Sequence, residues 1–204
     1  PTGGFAGAHI TPFEAAQFTN AVQELAENTR LGIPSMFKSN SRNHVEFDAR
    51  AGINEESGAF SSWPKESGLA ATRDLDLIAD FAKAMRQEWT SIGLRGMYGY
   101  MGDLSTEPRW YRVHETFSED AQLTANIITT LVKNLQGESL SSRSVAMTIK
   151  HFPGGGPQEG GGDPHYAFGK NQVYPAQKFD YHLLPFEAAI KAGASSIMAY
   201  YGIP

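Results

Sequence analysis

Lys150-His151, followed at once by Phe152-Pro153-Gly154-Gly155-Gly156, is the part of this chain best equipped for chemistry. The pair stands at the exit of the apolar run Val145-Ala146-Met147-Thr148-Ile149, which reads as a β-strand bounded by turn residues. A strand that ends this way delivers an ammonium and an imidazole to a mouth rather than into a core. Both can donate hydrogen bonds to hydroxyls, and the imidazole can also move a proton. The plainer alternative is a strand-end lysine snorkelling to water beside a histidine that caps a turn. A second candidate pair, Asp163-Pro164-His165, lies in the glycine-rich loop downstream. A carboxylate beside an imidazole can orient the ring and tune its proton affinity for acid/base work. The same residues also suit an Asx-type turn with His165 packed on an aromatic ring. Upstream, Asp103 and the segment Glu107-Pro108-Arg109-Trp110-Tyr111-Arg112-Val113-His114-Glu115 concentrate charge in a short stretch.

Elements alternating between strand and helix position these groups. Thr11-Pro12-Phe13-Glu14 is a capping box with proline in the first turn, and Phe18, Val22 and Leu25 mark an apolar face behind it. A short strand is predicted over Ile33 to Phe37, and the polar passage Lys38 to Ser67 follows. Leu75, Ile78, Ala82, Met85 and Trp89 recur at helical spacing and Gly93 closes that element. Gly96 to Tyr100 reads as the next strand. Asp120 opens a helix with Leu123, Ile127, Leu131 and Leu135 on one face and Gly137 at its end. After the Val145 strand come a helix around Pro185 to Ala192 and a last strand over Ala194 to Tyr200. This alternation predicts an α/β fold with a parallel sheet and outer crossover helices. The four strand exits carry Lys38 to His44, Asp103 to Glu115, Lys150-His151 and Tyr200-Tyr201, while the helix faces stay apolar. Ligand sites of parallel α/β folds form at such exits.

Composition narrows the partners. A net charge of −5 over 204 residues offers no broad basic surface for nucleic acid or an anionic membrane. With no cysteine, thiol nucleophiles, disulfides and cysteine metal sites are excluded. No apolar run is long enough to span a bilayer, and Pro1-Thr2-Gly3-Gly4 has neither an initiator Met nor a signal pattern, as though the chain were cut there. Gly154-Gly155-Gly156 lacks the spacing of a phosphate-binding loop.

Lys150 to Gly156, the block Glu107 to Arg112 with Glu115-Thr116-Phe117-Ser118-Glu119-Asp120, and Gly32-Ile33-Pro34 together resemble the N-terminal (β/α)₈ barrel domain of family 3 glycoside hydrolases, most closely bacterial β-glucosidases. The resemblance implies that residues 1–204 are an incomplete TIM-type barrel, with the remaining barrel and a C-terminal domain as partners in a larger enzyme. It implies exo-acting, retaining hydrolysis of β-linked glucosides or short β-glucans, with no cofactor and no metal. A periplasmic or secreted location is implied too. Lys150, His151 and Arg112 would hold glycone hydroxyls, with Glu115 orienting the charged groups. Arg109 would bond loop carbonyls, Asp103 would tie its loop down, and Met198 and Tyr201 would line the subsite floor. Asn40 falls where the family usually has a sugar-binding Asp, so the charge-assisted part of that contact is lost. The nucleophile, an Asp on the strand after Tyr201, would lie beyond Pro204, so none is assigned. Asp163 and His165 are the acid/base candidates, by analogy with the N-acetylhexosaminidase branch. A hexosaminidase-like or phosphorylase-like enzyme using that pair, or a sugar-binding piece without catalysis, are the alternatives.

Overall fold

The computed structural model describes residues 10–40, 42–44 and 60–204, so most of the Lys38 to Ser67 passage lies outside it. Helix α1 (Pro12–Glu27) opens on the predicted capping box. Thr11 Oγ1 accepts from Glu14 N at 3.2 Å, and the Glu14 carboxylate accepts from Thr11 N at 2.7 Å. Helix α2 (Glu66–Thr72) is too short to leave a periodic signal. Helices α3 (Leu75–Ser91) and α4 (Ala121–Gln136) begin where Asp74 and Asp120 each accept two first-turn amides. Helix α5 (Phe179–Lys191) starts ahead of the predicted Pro185, which lies inside it.

Strands β1 (Phe37–Ser39), β2 (Leu94–Met97), β3 (Ala146–Phe152) and β4 (Ser196–Ala199) lie side by side in chain order, and every pairing is parallel. Helical crossovers between parallel neighbours give the α/β arrangement expected of a partial barrel. The first strand begins later than predicted, because Ile33 is exposed and the Ser35 amide donates to the Gln23 side chain at 2.9 Å rather than to a strand. Pro34 beside it has no amide hydrogen to give.

The outer face of the sheet carries the core. Met97, Met147 and Ile149 pack against Phe81, Met85 and Trp89 of α3 and Ile128 and Leu131 of α4, all closed to solvent. Each such side chain contributes about 1.5–3 kcal/mol by leaving water. The flanks are more open: on α1 the buried positions are Ala15 and Thr19, while Phe18 and Leu25 are exposed, as is Ile197 on β4. Thr19 is held because its hydroxyl donates to Ile92 O at 2.9 Å.

The inner face is polar. Lys38 pairs with Gly96 and Thr148 with Ser196, while Gly96 stands opposite Ala146, two residues before Thr148 on the same face. Lys38 Nζ donates to Thr148 Oγ1 at 2.8 Å, and Thr148 shares a 2.7 Å hydrogen bond with Ser196 Oγ. A Cβ at Gly96 would run into the Lys38 stem, so only glycine lets that side chain cross. Two residues further along each strand stand Asn40, Tyr98, Lys150 and Met198. The period of two places the first three around one point, as the contacts below bear out.

Candidate functional site

At the exit of β3, Lys150 and His151 are 3% and 9% exposed, so neither snorkels to water. The reason is the neighbouring loop: Gly102 N donates to Lys150 O at 2.7 Å and draws Asp103 into the interior. Asp103 Oδ2 accepts from His151 N at 2.9 Å and lies 3.1 Å from His151 Nδ1, while Oδ1 accepts from Gly155 N. Burial alone would raise the pKa of this carboxyl. The imidazole, the Gly155 amide and the charge of Arg112 outweigh burial and hold it below the usual range. The turn must be glycine here, since a Cβ on Gly155 would lie 2.8 Å from both Asp103 Oδ1 and the Tyr200 ring.

His151 Nε2 lies 3.2 Å from Arg112 Nη1. A guanidinium only donates, so Nε2 accepts and the ring proton sits on Nδ1, facing Asp103. Burial lowers the pKa of His151 despite the carboxylate beside it, in keeping with this neutral tautomer. The Lys150–His151 and Phe152–Pro153 peptide bonds are both cis.

Arg112 is held in a fork by Glu115, with Nε–Oε1 and Nη2–Oε2 both at 2.8 Å. Glu115 Oε2 also receives Arg42 Nη2 at 2.6 Å, and Arg42 continues to Gly99 O at 2.7 Å and to Glu66 Oε1 at 2.8 Å. Burial would raise the pKa of Glu115, but the two guanidinium groups outweigh it and keep the group ionised. For Glu66, burial wins over Arg42 and its pKa rises. The chain of charges therefore joins the exits of β1 and β2 to α2.

Lys150 Nζ donates to Asn40 Oδ1 at 2.7 Å and sits 5.8 Å from the centre of the Tyr98 ring. Burial, followed by repulsion from Arg42 and Arg112, lowers its pKa to about 7. Asn40 accepts the bond without supplying the counter-charge that an Asp would bring, and the more distant charges of Glu115 and Asp103 offset only part of that fall.

The other predicted residues are more dispersed. Met198 is half-buried on β4. Tyr201 is exposed, and its ring meets His165 edge-on at 4.9 Å. Its neighbour Tyr200 is the one that packs on His151, at 5.7 Å, with its hydroxyl donating to Gln158 Oε1 at 2.8 Å. Asp163 Oδ1 accepts from His165 N at 3.0 Å and lies 2.6 Å from Nδ1, which combines an Asx-type turn with a carboxylate–imidazole pair on the surface. Burial would raise the pKa of Asp163, but bonds from His165 and the charge of Arg112 lower it, so the pair stands within electrostatic reach of Arg112. Among the described residues Arg109 bonds no loop carbonyl; it forks onto Glu107 at 2.8 Å, because a carboxylate two residues away is the stronger acceptor. Arg42, Tyr98 and Tyr200 complete the network and were not singled out as site residues by motif reading. Their signal was only that they lie on strand exits. Among the described residues no group of three His, Cys, Asp or Glu is placed to hold a metal ion.

Known proteins share the sequence and the fold. Beta-glucosidase C of Emericella nidulans is 45% identical over 192 residues, covering 94% of this chain and 31% of that protein. The periplasmic beta-glucosidase/beta-xylosidase of Dickeya chrysanthemi is 37% identical over 194 residues, covering 94% of this chain and 29% of that protein. Here the fungal relative shares more identity than the bacterial one, although the motifs alone resemble bacterial β-glucosidases most. The exo-1,3/1,4-beta-glucanase of a Pseudoalteromonas species superimposes with a TM-score of 0.77 at 23% identity, over 95% of this chain and 23% of that one, a likeness of fold. The chain spans 29–31% of the length of these curated relatives. Residues 4–201 match the model of the glycosyl hydrolase family 3 N terminal domain, and the chain belongs to that family.

Proposed function

We propose that this chain supplies the glycone-binding part of a retaining, exo-acting β-glucosidase, with Lys150, Arg112 and His151 at the terminal sugar. The observation that carries this reading is the convergence of those three residues, fixed by Asp103 and Glu115, at the exits of neighbouring parallel strands. Lys150 gives one hydrogen to Asn40 and keeps two for hydroxyls, while the Asn40 amide can both donate and accept. Met198 lies two residues along β4 from the polar layer, and Tyr201 stands on the rim with His165. Retaining hydrolysis needs a carboxylate nucleophile and a second acid/base group across the scissile bond. We assign no nucleophile within residues 1–204 and expect it on the strand that follows β4, in the remainder of the barrel.

The substrates in this reading are β-linked glucosides or short β-glucans, and the location is periplasmic or secreted, supported by the similarity to the periplasmic enzyme of Dickeya chrysanthemi. No described helix is long and apolar enough to cross a membrane. The test is Lys150→Ala in the full-length protein, assayed on an aryl β-glucoside. The expected loss in kcat/KM corresponds to about 2–4 kcal/mol of transition-state stabilisation. Unchanged hydrolysis removes the assigned role.

A second reading has one observation in its favour, the short Asp163–His165 contact near Arg112. In it the pair supplies acid/base chemistry to a hexosaminidase-like or phosphorylase-like reaction. Release from an aryl N-acetyl-β-glucosaminide that depends on phosphate and disappears in His165→Ala would select it. A protein that binds glucosides and hydrolyses neither substrate would leave sugar binding as the function.

A further inference from the structure

We propose that Arg42 is a positioning residue for the glycone grip: without touching a sugar, its buried guanidinium fixes where Arg112 and Asn40 stand and how much positive charge surrounds Lys150. The inference rests on the Lys150 cleft being the glycone site.

Arg42 is fully closed to solvent, so it acts through other side chains. Its Nη2 lies 2.6 Å from Glu115 Oε2, the oxygen that Arg112 Nη2 also meets, at 2.8 Å. Two guanidinium groups therefore share one carboxylate oxygen, and the fork that orients Arg112 is seated on Arg42. The same Nη2 donates to Gly99 O at 2.7 Å, next to Tyr98, whose ring faces Lys150. A Cβ on Gly99 would lie 3.1 Å from Asn40 O and 3.2 Å from Arg42 Cγ, so glycine lets both approach the β2 exit. Arg42 also stands two residues after Asn40. The bonds that hold it thus hold the end of the segment that presents Asn40 to Lys150.

The opposite side of Arg42 is anchored as firmly. Its Nη1 meets Glu66 Oε1 of α2 at 2.8 Å. The next two residues are tied to α3, with Trp89 Nε1 donating to Asn43 Oδ1 at 3.0 Å and His44 stacked on Phe81 at 5.6 Å. A buried ion pair adds little net stability over apolar residues of the same volume. Position, shared among three groups of the site, is what this pair supplies.

Among the described residues, the groups facing Lys150 are Arg42, Arg112, Glu115 and Asp103, with His151 beside it and the Tyr98 ring across the sheet. After burial, Arg42 and Arg112 disfavour its charge, while Glu115 and Asp103 favour it. On its other side Arg42 faces Glu66, Lys65 and His44. Burial lowers the pKa of His44 to about 3 and raises that of Glu66. Of the two charges that repel Lys150, Arg42 is the one that can be removed without deleting a sugar contact.

The experiment compares Arg42→Lys and Arg42→Met/Glu66→Met in the full-length protein. The double variant removes both charges of the buried pair together and leaves Glu115 its fork with Arg112. Both should keep the wild-type circular dichroism spectrum. Arg42→Lys retains a charge but brings one nitrogen where two span Glu115 and Glu66, so kcat/KM for an aryl β-glucoside should fall about tenfold or more. The double variant should show that loss together with an upward shift of the Lys150 titration. This is read by NMR on protein isotopically labelled at lysine, with the signal assigned by its absence in Lys150→Met. In Arg42→Lys the titration should stay near wild type. A folded double variant with kcat/KM within about threefold of wild type, or with the Lys150 titration unmoved, overturns the proposal. Activity lost only in step with the fold, in both variants, makes Arg42 a stability residue and overturns it too. A wild-type protein that hydrolyses no aryl β-glucoside removes the glucosidase reading, and the NMR titration still decides whether Arg42 sets the charge of Lys150.

Discussion

Two aspartate–histidine pairs stand near the same arginine, and they are built in opposite ways. In Asp103–His151 the carboxylate is fully buried and accepts from three N–H groups on two residues, at a contact of 3.1 Å to the ring. In Asp163–His165 the contact is shorter, 2.6 Å, yet the histidine side chain is 53% exposed and both bonds come from that one residue. Contact length therefore does not rank them. The buried pair fixes a tautomer, because both ring nitrogens have protein partners, Asp103 and Arg112, on the exit of β2. The exposed pair closes a local turn, with no partner for Nε2 among the described residues. One is suited to holding a ligand's position and the other, if to any chemistry, to proton transfer.

The largest effect should come from breaking the buried pair. Asp103→Ala leaves the Gly155 amide and His151 without their acceptor and should destabilise the protein by about 3–5 kcal/mol in denaturant unfolding. Glucoside hydrolysis should fall with it. A loss below about 1 kcal/mol would mean that Asp103 is no anchor and would erase the contrast between the pairs.

Lys150, which shares the interior with the buried pair, should give the next effect through pH. Its folded pKa is about 7 and its ordinary value is 10.5, so the folded form resists protonation more than the unfolded form. Between those values the unfolded chain binds more protons, and stability contributed by this residue rises with pH across that window. The stability difference between wild type and Lys150→Met should therefore shift in favour of wild type from pH 7 to pH 10, by a few kcal/mol at most in order of magnitude. A difference that is flat with pH would show that the ammonium is not resisted by its surroundings.

The smallest change is expected at the exposed pair. Asp163→Ala should alter stability by about 1 kcal/mol or less, as exposed ion pairs do. Aryl β-glucoside turnover should stay within a few-fold of wild type. A collapse in turnover with little change in stability would instead give the pair a chemical role and sharpen the contrast from the other side.

Much of this was legible in the residues. Lys150, His151 and Asp103 could be located because each follows an apolar run with turn residues behind it, and the caps at Thr11 and Asp120 are local signals in a few adjacent residues. The clamp was not legible, since Arg42 and Glu115 are 73 residues apart and nothing periodic links them. Strand β1 was placed too early because Ile33 has the right type but its flanking Pro34 and the Gln23–Ser35 bond take the backbone elsewhere. Phe18 and Leu25 mark an apolar face in the sequence, yet both are exposed, because burial depends on which neighbours the helix meets. That Tyr200 rather than Tyr201 reaches His151 shows the same limit, because tertiary packing decides which of two adjacent rings turns toward the imidazole.

The polar layer of Lys38, Thr148 and Ser196 acts as a gauge for that register. Its three side chains meet only in the observed register, with Gly96 opposite Ala146 and Thr148 opposite Ser196, and a slip of a single residue would turn a strand's side chain to the opposite face. Asn40 and Lys150 sit two residues above the same layer. The height at which a sugar could be gripped is thus measured from below, by hydrogen bonds that never touch it.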